Sequence, residues 1–404
     1  MRCWSQCWRS GRGDFSVNVA TMRSRALPWL LLIAALALPP VFARQGWLLA
    51  YLAQTATMIV FALSFNLLLG ETGLLSFGHA VYSGLGAFAA AQVFNRYAVP
   101  LPLLPLAGGI AAACAGVIFG FISTQRAGTP YAMITLGLGE LVAAGVSLAP
   151  GWFGGEAGVV IDRARGAWYF GPALHAYALI AIWCVLACIG MFAFSRTPFV
   201  RLANAVRDNP TRAAAIGINP RGVRLTMVVA SAFFAGIAGV LGLINLELAS
   251  AEGVGLARSG SVLIATVIGG TSTFFGPVVG AVVLTFFSVA MASVSQAWVA
   301  YLGLFFVWVV VVAPNGLTGL VSAIPRQSAR SIVLGSGAAI AWVVAITIAM
   351  ELAYALQFDS NGDGLAHVAR FTFDGRKATP WFLALACAVL AIAMQRLRST
   401  RSET

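Results

Sequence analysis

The sequence predicts an all-α polytopic membrane protein with about 10–12 transmembrane helices, at least one of them short or interrupted. Three observations predict it. Hydrophobic residues make up 60% of the 404 positions, and the mean hydropathy is +0.88. Asp, Glu, Lys and Arg together reach only 9%, against roughly 25% in a soluble domain. A globule this apolar has too few polar side chains to cover its own surface, so the excess faces lipid. The third observation concerns the net charge of +12. Its basic residues sit in short segments between apolar runs, the pattern of membrane-protein loops rather than of a nucleic-acid-binding face.

A hydrocarbon core of about 30 Å takes roughly 20 helical residues to cross. On that ruler, spans fall at 27–43, 47–69, 75–93, 102–123, 129–149, 173–194, 225–247, 259–271, 276–294, 298–313, 331–355 and 380–395. The run at 259–271 is too short for a regular span and leads into the breaker-rich Gly269-Gly270-Thr271-Ser272-Thr273-Phe274-Phe275-Gly276-Pro277. It is read as a half-helix or a tilted, interrupted element, which a membrane tolerates where protein or a water-filled cavity covers the freed backbone.

With the spans alternating from a cytoplasmic N-terminus, 17 of the 25 basic residues lie inside and 8 outside. The inverse orientation violates the positive-inside rule, so both termini are placed in the cytoplasm. Met22-Arg23-Ser24-Arg25 offers a second start directly before the first span, and Met22 to Gln45 imitates a secretory signal with Val41-Phe42-Ala43 at the cleavage position.

Several chemistries are excluded. Of the 25 basic residues only Lys377 is a lysine, and it is followed by Ala378, so the chain holds no Walker A loop. Three His and six Cys form no zinc spacing; Cys184 and Cys188 read as small buried apolar residues on one helix. The stretch Asp359-Ser360-Asn361-Gly362-Asp363-Gly364 imitates the head of a calcium loop, but its twelfth position is Arg370, and a turn is the better reading. No catalytic, cofactor-binding or metal residue is assigned, and the chain is not read as an enzyme.

Three places depart from plain lipid-facing helix. Between Asn66 and Gly86, small residues accompany Asn66, Ser76 and His79, which bring polar groups into a bundle interior, either satisfied within tight packing or lining a hydrophilic pathway. Thr135 and Glu140 lie in one span. A carboxylate there costs several kcal/mol unless paired or protonated, so Glu140 is either a pathway residue or an interior hydrogen-bonding one. The third place is the break with Gly269, Gly270 and Gly276, whose Phe275-Gly276 echoes Phe77-Gly78.

The loop from Ser195 to Arg224 carries six Arg and one Asp. Pro198 opens a first short helix; Asp208 or Asn209 caps a second with Pro210 at its first position, and Gly217 ends it. Two such helices along the membrane face, with Arg outward, form a docking element; the plainer alternative is a basic loop that sets orientation.

These segments together resemble the LivM-type permease subunit of branched-chain amino acid ABC importers. The resemblance rests on Asn66-Leu67-Leu68-Leu69-Gly70 with Leu75-Ser76-Phe77-Gly78-His79-Ala80, on Arg207-Asp208-Asn209 through Ala213 to Asn219, on Ile268-Gly269-Gly270 with Phe275-Gly276-Pro277, and on Pro314-Asn315-Gly316-Leu317. It implies a permease core at 27–322, preceded by a polar extension at 1–26. Residues 323–404 depart from the family as an extension with two additional predicted transmembrane helices. It implies an inner-membrane location, a second permease subunit of similar type, two cytoplasmic ATPase subunits that bind the ATP, and an extracytoplasmic substrate-binding protein, with lipid around the bundle and no nucleic acid. By the same resemblance, Arg201, Arg207, Asp208, Asn209, Arg212, Ala214 and Gly217 belong to the ATPase coupling loop. The substrate stays open among branched-chain amino acids, urea, short amides and aromatic acids. A stand-alone secondary transporter or channel, with Glu140 carrying a coupling ion, is the alternative class.

Overall fold

The structure, a computed structural model, describes residues 19–37, 46–97, 99–163, 172–293, 297–313 and 315–322, together with Ser295 and short pieces between 347 and 389. Most of the N-terminal extension, Val41-Phe42-Ala43, the Asp359–Gly364 turn and most of the expected spans at 331–355 and 380–395 lie outside the described residues.

The chain is an all-α membrane bundle. Helices α1 (Val19–Ala37), α2 (Gly46–Thr72), α3 (His79–Tyr97), α4 (Leu104–Ser123), α5 (Thr129–Leu148) and α6 (Ala173–Ser195) lead to two short helices, α7 (Pro198–Asp208) and α8 (Pro210–Ala215). After these come α9 (Pro220–Leu246), α10 (Leu256–Gly269), α11 (Gly276–Thr285), α12 (Trp298–Val312) and α13 (Gly316–Ser322). Among the described residues, five helices, starting at Gly46, Leu101, Thr129, Ala173 and Pro220, are long and apolar enough to cross a membrane. The α11 helix continues into a π-helical turn at Phe286–Met291. Within the described residues, the spans expected up to residue 313 recur as helices with shifted ends, some of them short, and the one at 75–93 begins only at His79, after a non-helical stretch at 73–78.

The apolar surface is buried unevenly. At the centre stand α2 and α9, which pack on each other; α9 also packs on α3, α4 and α6, and α2 on α6, α10 and α11. Phe61, Phe65, Leu68, Met227, Val240 and Leu241 along them are wholly or almost wholly buried. By contrast α5 buries only Tyr131, Ala132, Thr135 and Val146. Cys184 and Cys188 of α6 are both buried and free, as small core residues should be.

The bundle has two distinct ends. At one, α7 seals the C-terminus of α2: Asn204 Nδ2 donates to Glu71 Oε2 at 2.8 Å, and Arg207 donates to the Gly70 carbonyl. A guanidinium there satisfies a terminal carbonyl and complements the negative end of the helix dipole. At the other end, β1 (Val159–Val160) pairs antiparallel with β2 (Leu248–Ala249). Arg163 binds Glu247 at 2.5 Å, and Asn95 on α3 donates to Val160 O at 3.0 Å. A second antiparallel pair joins β3 (Leu365–Val368) to β4 (Phe371–Asp374).

The interrupted element is two short helices crossing at glycine. A Cβ on Gly276 would lie 1.9 Å from Gly270 O, and one on Gly269 would lie 2.0 Å from Gly276 O. Gly270 holds φ +100, a conformation that side chains rarely adopt. Thr318 Oγ1 on α13 donates to Gly269 O at 2.9 Å, so a neighbouring helix supplies a partner for the freed carbonyl. Gly276→Ala is therefore expected to destabilise the detergent-solubilised protein by about 1–3 kcal/mol through overpacking. Gly260→Ala, on the same element with open space around its Cβ position, is expected to be neutral or stabilising by roughly 0.5–1 kcal/mol. Thermal unfolding of the two variants compares them directly.

Candidate functional site

The first candidate group gathers where the chain re-enters the bundle before α3. His79 is fully buried, stacked on Phe61 at 5.4 Å and edge-on to Phe65 and Tyr82 at 5.2 and 5.9 Å. Its Nε2 lies 3.0 Å from Ser64 Oγ on α2. The single Ser64 hydroxyl proton goes to Phe61 O at 2.7 Å. The ring therefore donates through Nε2–H, and Ser64 accepts. Ser231 on α9 donates to Ser64 O at 2.6 Å, which ties the same point to the central helix.

The backbone of this break is served by other helices. Phe77 N–H donates to Thr135 Oγ1 of α5 at 3.2 Å, and Ala80 N–H to Ser259 Oγ of α10 at 3.0 Å. Gly78 allows the approach, because a Cβ there would sit 2.3 Å from Thr135 O. Membrane-depth backbone outside a helix survives only where protein covers it in this way. The Phe-Gly pairs at 77–78 and 275–276 thus do the same work, each placing a glycine against foreign backbone where a helix begins inside the bundle.

Of the residues expected along a pathway, the structure joins Ser76, His79 and Thr135 around this junction. Ser76 is buried and neighbours Tyr131 of α5. Asn66 is buried with its amide against Gly70. Gly269, Gly270 and Gly276 form the separate crossing of α10 and α11. Glu140 stands apart on the exposed face of α5, rather than in the bundle interior, and has no hydrogen-bonding partner among the described residues. An exposed carboxylate inside a membrane span still requires a polar neighbour.

None of these eight residues lines a cavity of about 430 Å³ between α2, α3, α9 and the turn before α10. Its polar lining comes from Gln54, Ser83, Ser250, Glu252, Arg258 and Ser261. Sequence reading passed over these because each is a single polar residue in or beside an apolar run, and only the fold assembles them.

The loop elements form as their turn chemistry directs. Asn209, not Asp208, is the cap of α8, accepting from Arg212 N at 2.9 Å; Asn219 caps α9 in the same way. Gly217, with φ +87, closes the pair. Val200, Ala203, Val206 and Ala213 turn inward onto Val223 and Met227 of α9. Arg201, Arg212 and Ala214 face outward with Leu202 and with Ile216, which is 73% exposed. Arg207 and Asp208 form a surface pair at 3.3 Å while the Arg207 guanidinium reaches α2. Among the described residues, no group of His, Cys, Asp and Glu is placed to hold a metal.

Residues 47–314 match the protein family described as branched-chain amino acid transport system / permease component. The chain is 27% identical over 328 residues, 75% of its own length and 76% of the relative's, to the high-affinity branched-chain amino acid transport system permease protein LivM of Escherichia coli (strain K12). The protein of the same name from Salmonella typhimurium (strain LT2) matches to the same extent. No solved structure matches the chain.

The junction at His79 makes a direct prediction. Ser64→Ala removes the acceptor of a fully buried ring N–H and is expected to destabilise the protein by about 1–3 kcal/mol. Thermal unfolding in detergent measures it, and an unchanged midpoint would show that the pair contributes nothing.

Proposed function

The chain belongs to the branched-chain amino acid transport system permease component family, and from this we propose that it is the membrane-spanning permease subunit of an ATP-driven importer in the inner membrane, with both termini cytoplasmic. Its cargo is a branched-chain amino acid or a related small polar solute. The permease core is residues 27–322, and residues 323–404 are an added membrane extension. ATP is bound by two cytoplasmic ATPase subunits, in keeping with a sequence whose single lysine lies outside any phosphate loop. A substrate-binding protein delivers cargo on the opposite side.

One observation carries the reading: the outward face of α7 and α8. Its inner side is fastened to α2 and α9 by apolar packing and by Asn204 and Arg207. Its outer side presents Arg201, Arg212, Leu202 and Ile216. An exposed Ile among arginines suits a protein partner better than water. Seated on an ATPase, this element passes motion directly into α2 and α9. The second permease subunit packs on the sparsely buried face of α5, where it gives Glu140 the polar neighbour that no described residue provides, and Asn66, Ser76, His79, Thr135, Gly269, Gly270 and Gly276 belong to the translocation pathway.

Gly217→Pro tests the coupling element, since proline fixes φ near −65° and removes the N–H that donates to Ala214 O at 3.0 Å. Uptake into cells carrying the whole transporter is expected to fall at least about tenfold, with membrane insertion intact; Ile216→Asp is expected to do the same by weakening the docking contact. Uptake at the normal rate in both variants, or uptake that persists without the ATPase subunits, would overturn the importer reading. Glu140→Gln is expected to lower co-purification of the second permease subunit, and unchanged assembly would remove that contact.

A further inference from the structure

Helices α4 and α9 pack on each other and end, on the side of the bundle that carries α7 and α8, among arginines with no carboxylate beside them. Arg221, in the first turn of α9, lies with its guanidinium carbon 4.6 Å from the centre of the Phe121 ring, and its Nη2 donates to Phe121 O at 3.3 Å. Ring and carbonyl hold the group in place yet use only part of its five N–H donors. Arg224, three residues on and therefore on the same side of α9, is half-buried. Arg126 follows the C-terminus of α4 and is exposed. Among the described residues the ion pairs are Arg163–Glu247 and Arg207–Asp208, so none of these three arginines has a carboxylate partner there.

The surface next to them is apolar. Val117, Ile118, Phe121 and Ile122 form one exposed face of α4. Since α4 belongs to a helical stretch long and apolar enough to cross a membrane, this face meets acyl chains, and the arginines stand where headgroups begin. The two helices approach closely here: a Cβ on Gly120 would lie 2.9 Å from Leu225 Cδ1. The face that suits a protein partner is a different one, the outward side of α7 and α8 with Leu202 and Ile216.

We propose that the rim formed by the C-terminus of α4 and the N-terminus of α9 is a binding site for an anionic phospholipid. The phosphate accepts from the remaining N–H groups of Arg221 and from Arg224, Arg126 adds a third positive charge, and an acyl chain lies along Val117, Ile118 and Ile122. A guanidinium matches phosphate oxygens in a bidentate fork. Choline and ethanolamine lipids carry an ammonium that offsets their phosphate. The rim supplies positive charge only, so a headgroup of net negative charge is preferred. Arginines that merely set orientation would not discriminate between lipids. The docked lipid pins the first turn of α9 to the end of α4.

The test uses the full chain, delipidated in detergent and offered phosphatidylglycerol and phosphatidylcholine at equal concentration, with the retained lipid counted by native mass spectrometry. The wild-type protein is expected to retain phosphatidylglycerol at least about tenfold over phosphatidylcholine. Arg221→Gln and Arg224→Gln are each expected to lower that ratio roughly fivefold. Arg221→Lys, which keeps the charge but not the fork, is expected to fall between wild type and Arg221→Gln. Arg96→Gln removes the same charge near Trp152, at the opposite end of the bundle, and is expected to keep the wild-type ratio. Equal retention of the two lipids by the wild-type protein overturns the inference without any variant. An unchanged ratio in both Gln variants overturns it as well, and if those variants also lose co-purifying ATPase subunits, the arginines serve a protein contact instead. A loss in Arg96→Gln as large as in Arg221→Gln overturns it too, since the preference would then follow net charge and not this rim.

Discussion

The rest of this structure depends on one constraint: backbone that leaves helical geometry inside a membrane must find its hydrogen-bonding partners in protein. Among the described residues the chain leaves that geometry within the bundle at 73–78 and at 270–275. Each break brings an obligation that distant helices meet. Thr135 and Ser259 accept from the first, and Thr318 donates to the second. These partners come from α5, α10 and α13, so the breaks knit the bundle across its sequence. The glycines at 78 and 276 follow from the same constraint, since a methyl group at either would collide with a carbonyl oxygen.

His79 takes part in this scheme. It is enclosed by Phe61, Phe65 and Tyr82 and donates to a serine whose own carbonyl is held by Ser231. A polar network of this kind fixes the relative position of α2, α3 and α9. That rigidity lets the neighbouring cavity keep its shape, because Ser83 and Gly84 on its wall follow His79 by about one turn of α3.

Much of the fold was legible because membrane segments announce themselves by length and apolar content. The break near Gly269 and Gly270 followed from an apolar run too short to cross, and the two loop helices from Pro198, Asn209-Pro210 and Gly217. What escaped has a common cause. Along α5 and α6 apolar residues occur on every side, so no periodicity separates a lipid face from an interior one, and Glu140 could not be assigned an orientation. The pairing of Val159 with Ala249 is two residues long and spans a large sequence separation. Arg258 reads locally as one more charge at the head of an apolar run. Its place in one cavity wall with residues 54, 83, 252 and 261 is tertiary information.

Helix α9 runs unbroken for 27 residues, about 40 Å, from its Asn219 cap beside the loop helices to the Glu247 latch on Arg163. Val223 and Met227 near its start belong to the loop's apolar cluster, and Gly242, Leu243 and Leu246 near its end line the cavity. Such a member acts as a lever. A tilt of a few degrees at the loop displaces the cavity wall by ångströms, with no relay of side chains needed between them. The two ends of the protein are mechanically one piece, and the Arg163–Glu247 contact is the catch against which that lever must work.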